Sequence, residues 1–270
     1  MHESPQSLRV GGVTYLNSKP LVDALPALLP NADLSFDLPS RLADRLAKGR
    51  LDAALVPAAE LANHPDWSVV SDACIACRGP VLSVRLLFRV PPAEVRTLAL
   101  DEGSRTSRVL AQILLHDIYG VRPELTSLPI GMGPEETDTD AVLLIGDRAM
   151  KPSPAVFVES WDLGDRWCRW TELPFVFAVW AARSGVAPER LLAGFSCARD
   201  LGVARVERIA REQAERMGLE PELVLEYLTK NLHFTLGPRE RQGLELYFRR
   251  AAELGLMPTI EEPTFHGCPV

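Results

Sequence analysis

The sequence predicts an α/β fold arranged as a two-lobed clamshell, with parallel-type sheets flanked by helices and a ligand cleft between the lobes. Three observations lead to this prediction. Residues 8–60 show strand and helix patterns in the order β-α-β-α-β, and a second α/β run begins after Pro91-Pro92. An apolar stretch at residues 175–181 then precedes an almost wholly helical remainder. Consecutive βαβ units favour parallel strands with right-handed crossovers. A middle segment that forms its own lobe must be joined to the rest of the chain by two connections.

The first run contains a strand, a short helix, a strand, a longer helix and a strand, at residues 8–16, 21–29, 34–38, 40–49 and 51–56. The longer helix has the clearest boundaries. Ser40 is a candidate N-cap, Leu42 and Leu46 form a buried face, and Gly49 stops the helix. The last strand is apolar throughout, which is typical of a parallel strand covered on both faces.

A further strand is predicted at residues 81–90, before the break at Pro91-Pro92. The second run then contains strands at residues 97–100 and 141–145, a helix at 106–119 and a loop at 131–139. Helical periodicity returns at residues 188–256, with breaks near Gly218, Gly237 and Gly255. These patterns predict a discontinuous first lobe of residues 1–89 plus 179–270. The second lobe is predicted at residues 90–178.

Composition restricts the classes of partner. The chain has 270 residues and a formal net charge of -7, with 36 acidic against 29 basic side chains. Nucleic acids and anionic membrane surfaces attract proteins with a cationic face, so we expect neither as a partner. No apolar run approaches the length of about 20 residues that a spanning helix needs. A small anion can still be held by a few local donors.

The cysteines indicate a reducing compartment. An odd, scattered set of five, with no visible export signal in the first ten residues, predicts reduced thiols and a cytoplasmic protein. Cys74 and Cys77 form a CxxC pair, but no second pair of ligands follows at the spacing of a zinc site. We therefore expect two packed thiols and no metal.

Three strand-to-helix turns are candidates for binding an anion, at residues 15–20, 100–107 and 145–149. Such turns combine free backbone N–H groups, the positive end of a helix dipole and hydroxyl donors. Simple helix capping by Ser and Thr is the alternative for any one turn. Their recurrence in both predicted lobes favours a ligand with two anionic groups.

Other candidates are weaker. The phosphate-loop, dinucleotide and nucleophile-elbow motifs are missing from the sequence, and its histidines are expected to be structural. Asp147 either contacts a ligand or caps the helix that follows. The tryptophans at 161, 167, 170 and 180 form either an aromatic platform or, as we favour, part of the core.

Several motifs follow one another along the chain: VTYLNSKPL at 13–21, GPVLSV at 79–84, SRTS at 104–107, IGD at 145–147, LPFVFA at 173–178 and a tail from NLHF at 231–234 to Gly255-Leu256. In their sequence and order they resemble the chorismate dehydratase family of the futalosine route to menaquinone. The resemblance spans nearly the whole chain. It implies a fold similar to type 2 periplasmic solute-binding proteins.

The resemblance also implies a reaction, in which chorismate loses water to give 3-[(1-carboxyvinyl)oxy]benzoate, with no cofactor and no metal. It implies that Asn17 lies at the reacting centre. Because an amide is no base at neutral pH, we expect Asn17 to orient the substrate. The group that takes the proton, either a substrate carboxylate or a protein group, stays open at this point. The implied substrate contacts are Ser18, Ser83, Ser104, Thr106, Ser107, Gly146 and Asp147.

Some questions stay open at the level of the sequence. Arg78 either contacts a carboxylate or is a solvated loop charge. The alternatives in function are the later enzyme of the same route, which makes 1,4-dihydroxy-6-naphthoate, and a non-catalytic solute-binding protein. The oligomeric state is undetermined.

Overall fold

A computed structural model describes residues 7–150, 156–186, 189–260 and 263–266. The first strands are β1 (Arg9–Val13), β2 (Asp33–Asp37), β3 (Ala53–Pro57) and β4 (Ser68–Cys77). The middle strands are β5 (Val84–Phe88), β6 (Thr97–Asp101), β7 (Glu124–Leu128), β8 (Ala141–Ile145) and β9 (Glu159–Asp162), and the last are β10 (Phe175–Ala182) and β11 (His233–Thr235).

The helices flank two sheets. They are α1 (Lys19–Val22), α2 (Leu25–Leu28), α3 (Pro39–Ala47), α4 (Glu60–Asn63), α5 (Arg105–Tyr119), α6 (Leu163–Thr171), α7 (Glu189–Ala204), α8 (Val206–Met217), α9 (Pro221–Glu226) and α10 (Pro238–Glu253). A π-helical turn, Tyr227–Asn231, continues α9. Among the described residues, no helix combines the length and apolarity needed to cross a membrane.

The strands form two mixed sheets, in the orders β11-β4-β10-β3-β1-β2 and β7-β6-β8-β5-β9. Strands β1, β2 and β3 are parallel, as are β6, β7 and β8. Strand β10 is antiparallel to β3 and β4, and β5 is antiparallel to β8 and β9. The two sheets are therefore mixed, and β5 and β10 depart from the predicted parallel type because each enters its sheet from the other sheet rather than through a βαβ crossover.

The sheets show where the chain passes from one to the other. It leaves the six-stranded sheet after Cys77 and returns to it at Phe175. Strand β5 therefore pairs in the five-stranded sheet, although the predicted first lobe included it. The predicted lobe boundaries at residues 89 and 178 stay a prediction.

The N-terminal ends of α5 and α3 can be compared with the capping residues in the sequence. The Ser104 side chain accepts a hydrogen bond from the Ser107 N–H, which caps α5 as Ser, Thr, Asp and Asn do. The prediction that Ser40 caps α3 was wrong, since Pro39 starts that helix and Leu38 occupies the cap position without a side-chain bond. Leu42 and Leu46 are fully buried, as predicted.

The predicted tryptophan cluster belongs mainly to the core. Trp161, Trp167 and Trp180 are buried, whereas Trp170 is 39% exposed. Trp167 packs edge-on against Phe175, with ring centroids 5.2 Å apart. Core filling is thus the role that the contacts support.

The described cysteines carry reduced thiols. Cys74 and Cys77 are buried in β4, and the described residues contain no group of His, Cys, Asp and Glu that could hold a metal. Burial raises the pKa of the Cys77 thiol, which keeps it protonated. The fifth cysteine, Cys268, lies outside the described residues.

Candidate active site

A narrow cavity of about 50 Å³ lies between the two sheets. Both sheets and the connection between them line it, through Val13, Tyr15, Asn17, Pro39, Pro57, Ile75, Val81, Ser83, Val84, Ser104, Ser107, Ile145, Gly146, Phe177 and Ala178. The carboxyl ends of β1, β3 and β8 contribute to the wall. Open α/β folds place their ligands at this edge of the sheet.

The first predicted turn brings Asn17 to the cavity. The Ser18 hydroxyl donates to the carbonyls of Val13 at 2.6 Å and of Tyr15 at 2.8 Å, so it fixes the turn from inside. Ser18 itself is fully buried and does not line the cavity. The Asn17 Oδ1 atom is buried and has no hydrogen-bond partner in the described residues. An unpartnered buried amide oxygen is costly, so a ligand that donates to it is favoured.

Ser83 lies on the connection between the sheets, in a turn that is held from several sides. Leu82 has a positive φ of 60°, which is uncommon for a residue with a side chain. The Asp162 carboxylate accepts hydrogen bonds from the Val81 and Leu82 N–H groups, at 3.0 and 2.6 Å. Burial raises the pKa of Asp162 in spite of these bonds. Asp162 therefore fixes the strained turn that directs Ser83 to the cavity.

In the second predicted turn, two hydroxyl groups face the cavity and a third makes hydrogen bonds within the protein. Ser104 and Ser107 line the cavity, and the Ser104 hydroxyl donates to Ser107 Oγ at 2.8 Å. Thr106 does not line it. Its hydroxyl donates to the Phe177 carbonyl at 3.0 Å and accepts from the Ala59 N–H at 3.2 Å. Thr106 thus joins α5 to the six-stranded sheet.

The third predicted turn places Gly146 at the cavity and Asp147 beside it. Gly146 has a φ of +71°, and a Cβ there would lie 3.1 Å from the Tyr15 ring. Glycine is required for both reasons. The Asp147 carboxylate accepts from the Leu16 N–H at 3.1 Å, so it joins the third turn to the first and is absent from the cavity wall.

The cavity wall holds almost no ionisable group. Tyr15 is the one among the described lining residues, and burial raises its pKa to about 12, with the Asp101 charge adding to the rise. The site is therefore neutral, with hydroxyls, amides and helix N–H groups as its polar groups. Such a site can orient an anion but offers no protein base at neutral pH.

The remaining sequence candidates lie outside the cavity. Arg78 pairs with Glu240 at 2.9 Å, and 58% of its side chain is exposed. His64 stacks on Trp67, and His233 lies 3.6 Å from Glu240. None of these side chains lines the wall.

Sequence reasoning missed Tyr227 and Asp162. Tyr227 is fully buried, and its hydroxyl donates to Ser83 Oγ at 2.8 Å. It lies on a helical stretch 144 positions along the chain from Ser83, and no local motif relates the two. Asp162 could have been found as an N-cap, because it precedes the helical residues 163–171 and accepts from the Asp165 N–H.

Comparison with known proteins identifies the family of the chain. A family model described as menaquinone biosynthesis matches residues 8–253. Over 237 residues, which are 81% of this chain and 85% of the relative, the chain is 32% identical to the chorismate dehydratase of Thermus thermophilus.

Solved structures agree on the fold. Protein AF1704 from Archaeoglobus fulgidus superposes with a TM-score of 0.75 at 15% identity, covering 94% of this chain and all of that one. The periplasmic aliphatic sulphonate binding protein SsuA from Escherichia coli gives 0.63 at 16% identity, covering 99% and 96%. These likenesses confirm the predicted periplasmic-binding-protein architecture. On the extent and identity of the sequence matches, the chain belongs to the menaquinone-biosynthesis family.

Proposed function

We propose that the protein is a chorismate dehydratase, a hydro-lyase that converts chorismate to 3-[(1-carboxyvinyl)oxy]benzoate and water at the start of the futalosine route. The named relative supports the reaction class. The observation that carries the proposal is the buried, unpartnered Oδ1 of Asn17 in a cavity whose other polar groups are neutral donors. A small dicarboxylate that also bears a hydroxyl group fits that combination.

The helix α5 and the Ser83 turn would bind the two carboxylates. In the first turn of α5 the N–H groups of Arg105 and Thr106 have no intrahelical acceptor, and the helix dipole favours a negative charge there. The Ser107 hydroxyl accepts from Ser104 and keeps its own proton for the ligand. Ser83 supplies a donor at the opposite side of the cleft. No lining cation is needed for this arrangement.

The chemistry then depends on position rather than on a protein base. The substrate loses the C3 proton to one of its own carboxylates, the C3–H electron pair forms the new ring double bond, and hydroxide leaves C4. The proton and hydroxide together are the water released. The aromatic product supplies the driving force, and Asn17 Oδ1, as an acceptor, would hold the C4 hydroxyl in the reactive orientation.

The Asn17→Ala variant tests this proposal. Purified protein is incubated with chorismate and the benzoate product is followed by HPLC, with Asn63→Ala, an exposed position on α4, as the matched control. We expect kcat to fall by about 10²-fold or more in Asn17→Ala and to be unchanged in the control. Near-normal kcat in folded Asn17→Ala would contradict the role of Asn17. Saturable binding by the wild type without turnover would favour a solute-binding protein instead.

The reduced thiols of the described cysteines support a cytoplasmic location, where thiols stay reduced. A two-lobe division that closes around the ligand is part of the same proposal. The lobes are already bridged beside the cavity by the bonds of Thr106 and Asp147.

A further inference from the structure

Tyr227 lies directly behind the cavity and contacts two of the residues that face it. Its ring is fully buried, and its hydroxyl donates to Ser83 Oγ at 2.8 Å. The Asn17 side chain lies close enough to the same hydroxyl to lower the pKa of Tyr227. Because Asn17 Oδ1 has no hydrogen-bond partner, the amide NH2 group is the part of Asn17 that faces this hydroxyl. Tyr227 itself is not part of the cavity wall.

The backbone around Tyr227 is built to hold it in this place. It starts the π-helical turn Tyr227–Asn231, closed by a hydrogen bond of 3.2 Å from the Leu232 N–H to the Tyr227 carbonyl. At the other end of the turn, Asn231 Nδ2 donates to the Pro80 carbonyl at 2.9 Å. The turn is thus attached at two points to the segment that carries Ser83. Single π turns inside α-helices occur frequently at functional sites.

The directions of these bonds determine what the cavity offers. A hydroxyl has one proton, so Tyr227, which gives its proton to Ser83, can only accept from Asn17. Ser83, in turn, accepts from Tyr227 and has no acceptor for its own proton among the described residues. Its proton is therefore free for a ligand. Burial raises the pKa of Tyr227, so the phenol keeps its proton throughout the neutral range.

We infer that Tyr227 is a positioning residue, which fixes Asn17 as a hydrogen-bond acceptor and Ser83 as a hydrogen-bond donor toward the substrate. The inference rests on the proposed dehydration of chorismate for its effect on rate. Its structural part, the orientation of the two side chains, does not depend on that reaction. Without the phenol the Asn17 amide can rotate and present its NH2 group, and the Ser83 proton can point elsewhere.

Tyr227→Phe is the test, and Tyr247→Phe is its control. Tyr247 is as deeply buried, and its hydroxyl donates to the Thr106 carbonyl, away from the cavity wall. The first readout is the side-chain amide NMR signal of Asn17, identified by its loss in Asn17→Asp. We expect it to shift in Tyr227→Phe and to stay in place in Tyr247→Phe.

The second readout is chorismate turnover. We expect kcat/KM to fall by about tenfold to a hundredfold in Tyr227→Phe, and by less when Ser83→Ala is already present, because both changes disrupt the same set of bonds. Additive losses, or an Asn17 signal that does not move, would overturn the inference. If Tyr227→Phe does not fold, the Asn17 signal in Ser83→Ala decides, since the inference requires it to respond through Tyr227. A wild type that fails to convert chorismate refutes the proposed function, whereas the NMR readout still tests Tyr227.

Discussion

At the scale of single residues, the polar side chains of the site have two distinct roles. Asn17, Ser83, Ser104 and Ser107 face the cavity, whereas Ser18, Thr106 and Asp147 make bonds inside the protein. The second group holds the turns that carry the first. Variants of the two groups should therefore differ in what they damage.

Thr106→Val and Ser107→Ala make this difference measurable. Thr106→Val removes the partner of two buried backbone groups, so we expect the free energy of unfolding to fall by about 1–3 kcal/mol. Ser107→Ala removes a hydroxyl that faces the cavity, so we expect KM for chorismate to rise at nearly unchanged stability. Urea unfolding and steady-state kinetics on both variants provide the measurements. Equal effects of the two variants on stability would contradict the division.

The sequence allowed the residues of the cavity to be predicted better than the residues behind them. Asn17, Ser104 and Ser107 are in short turns at strand ends, where topology indicates a shared edge, whereas Ser83 was expected only from the resemblance to the family. Thr106 and Asp147 lie in the same motifs. They differ from their neighbours only in the direction of their side chains, which make hydrogen bonds within the protein. Tyr227 depends on a contact between distant parts of the chain, which no local pattern encodes.

At the scale of elements, the missed strands show where periodicity fails. Strand β7 is largely exposed and carries mixed polarity, so it resembles a loop. Strand β4 is buried over most of its length and shows no alternation. Both are defined by their partners in the sheet rather than by their own pattern. The same limit explains why antiparallel β10 was grouped with parallel strands.

The packing of α7 against the Asn17 turn gives a prediction for one element. A Cβ at Gly202 would lie 1.8 Å from the Pro20 carbonyl oxygen, which belongs to backbone and cannot move aside cheaply. We expect Gly202→Ala to displace α7 from α1, to lower the free energy of unfolding by about 3 kcal/mol or more, and to reduce turnover. Thermal unfolding and the HPLC assay measure the two effects.

Gly194→Ala on the same helix is the matched control. Its Cβ would meet only the end of the Leu29 side chain, at 3.0 Å. Alanine is a better helix former than glycine by about 1 kcal/mol, so a near-neutral or stabilising effect is expected. An equal loss of stability in both variants would show that any alanine substitution on α7 destabilises the protein. It would contradict a specific role for the contact between Gly202 and Pro20.

At the scale of the whole molecule, ion pairs join the helices of the two sheets. Arg250 on α10 pairs with Asp117 on α5 at 2.5 Å, and Asp117 is only 5% exposed. Arg105 on α5 pairs with Glu60 on α4 at 2.9 Å. Both pairs join α5, which follows a strand of one sheet, to helices that follow strands of the other sheet. The stability of the molecule should therefore depend on carboxylate charge.

The free energy of unfolding should therefore fall at acid pH. Burial alone would raise the pKa of Asp117, but hydrogen bonds from Arg250 and His116 outweigh it and the pKa is lowered. A depressed carboxyl pKa stabilises the folded state above the unfolded value of about 3.9, and this stabilisation is lost as pH falls through the folded pKa. We expect Asp117→Asn to cost about 2 kcal/mol at pH 7 and to flatten the loss below pH 4. Urea unfolding from pH 7 to pH 3 checks this, with exposed Asp66→Asn as the control.

Activity should depend on pH quite differently from stability, because the molecule's charges lie away from its cavity. The net charge of -7 is carried by side chains outside the wall, and Tyr15, with a pKa of about 12, is the ionisable member of the described lining. A substrate carboxylate that takes the proton is itself ionised above about pH 5. We therefore expect kcat/KM for chorismate to be flat from about pH 6 to pH 9 and to fall only in acid. A limb with its midpoint between about pH 6 and pH 8 would instead indicate a protein base. A flat profile together with an acid-sensitive fold would show that the protein's charges hold the lobes together while neutral donors position the substrate.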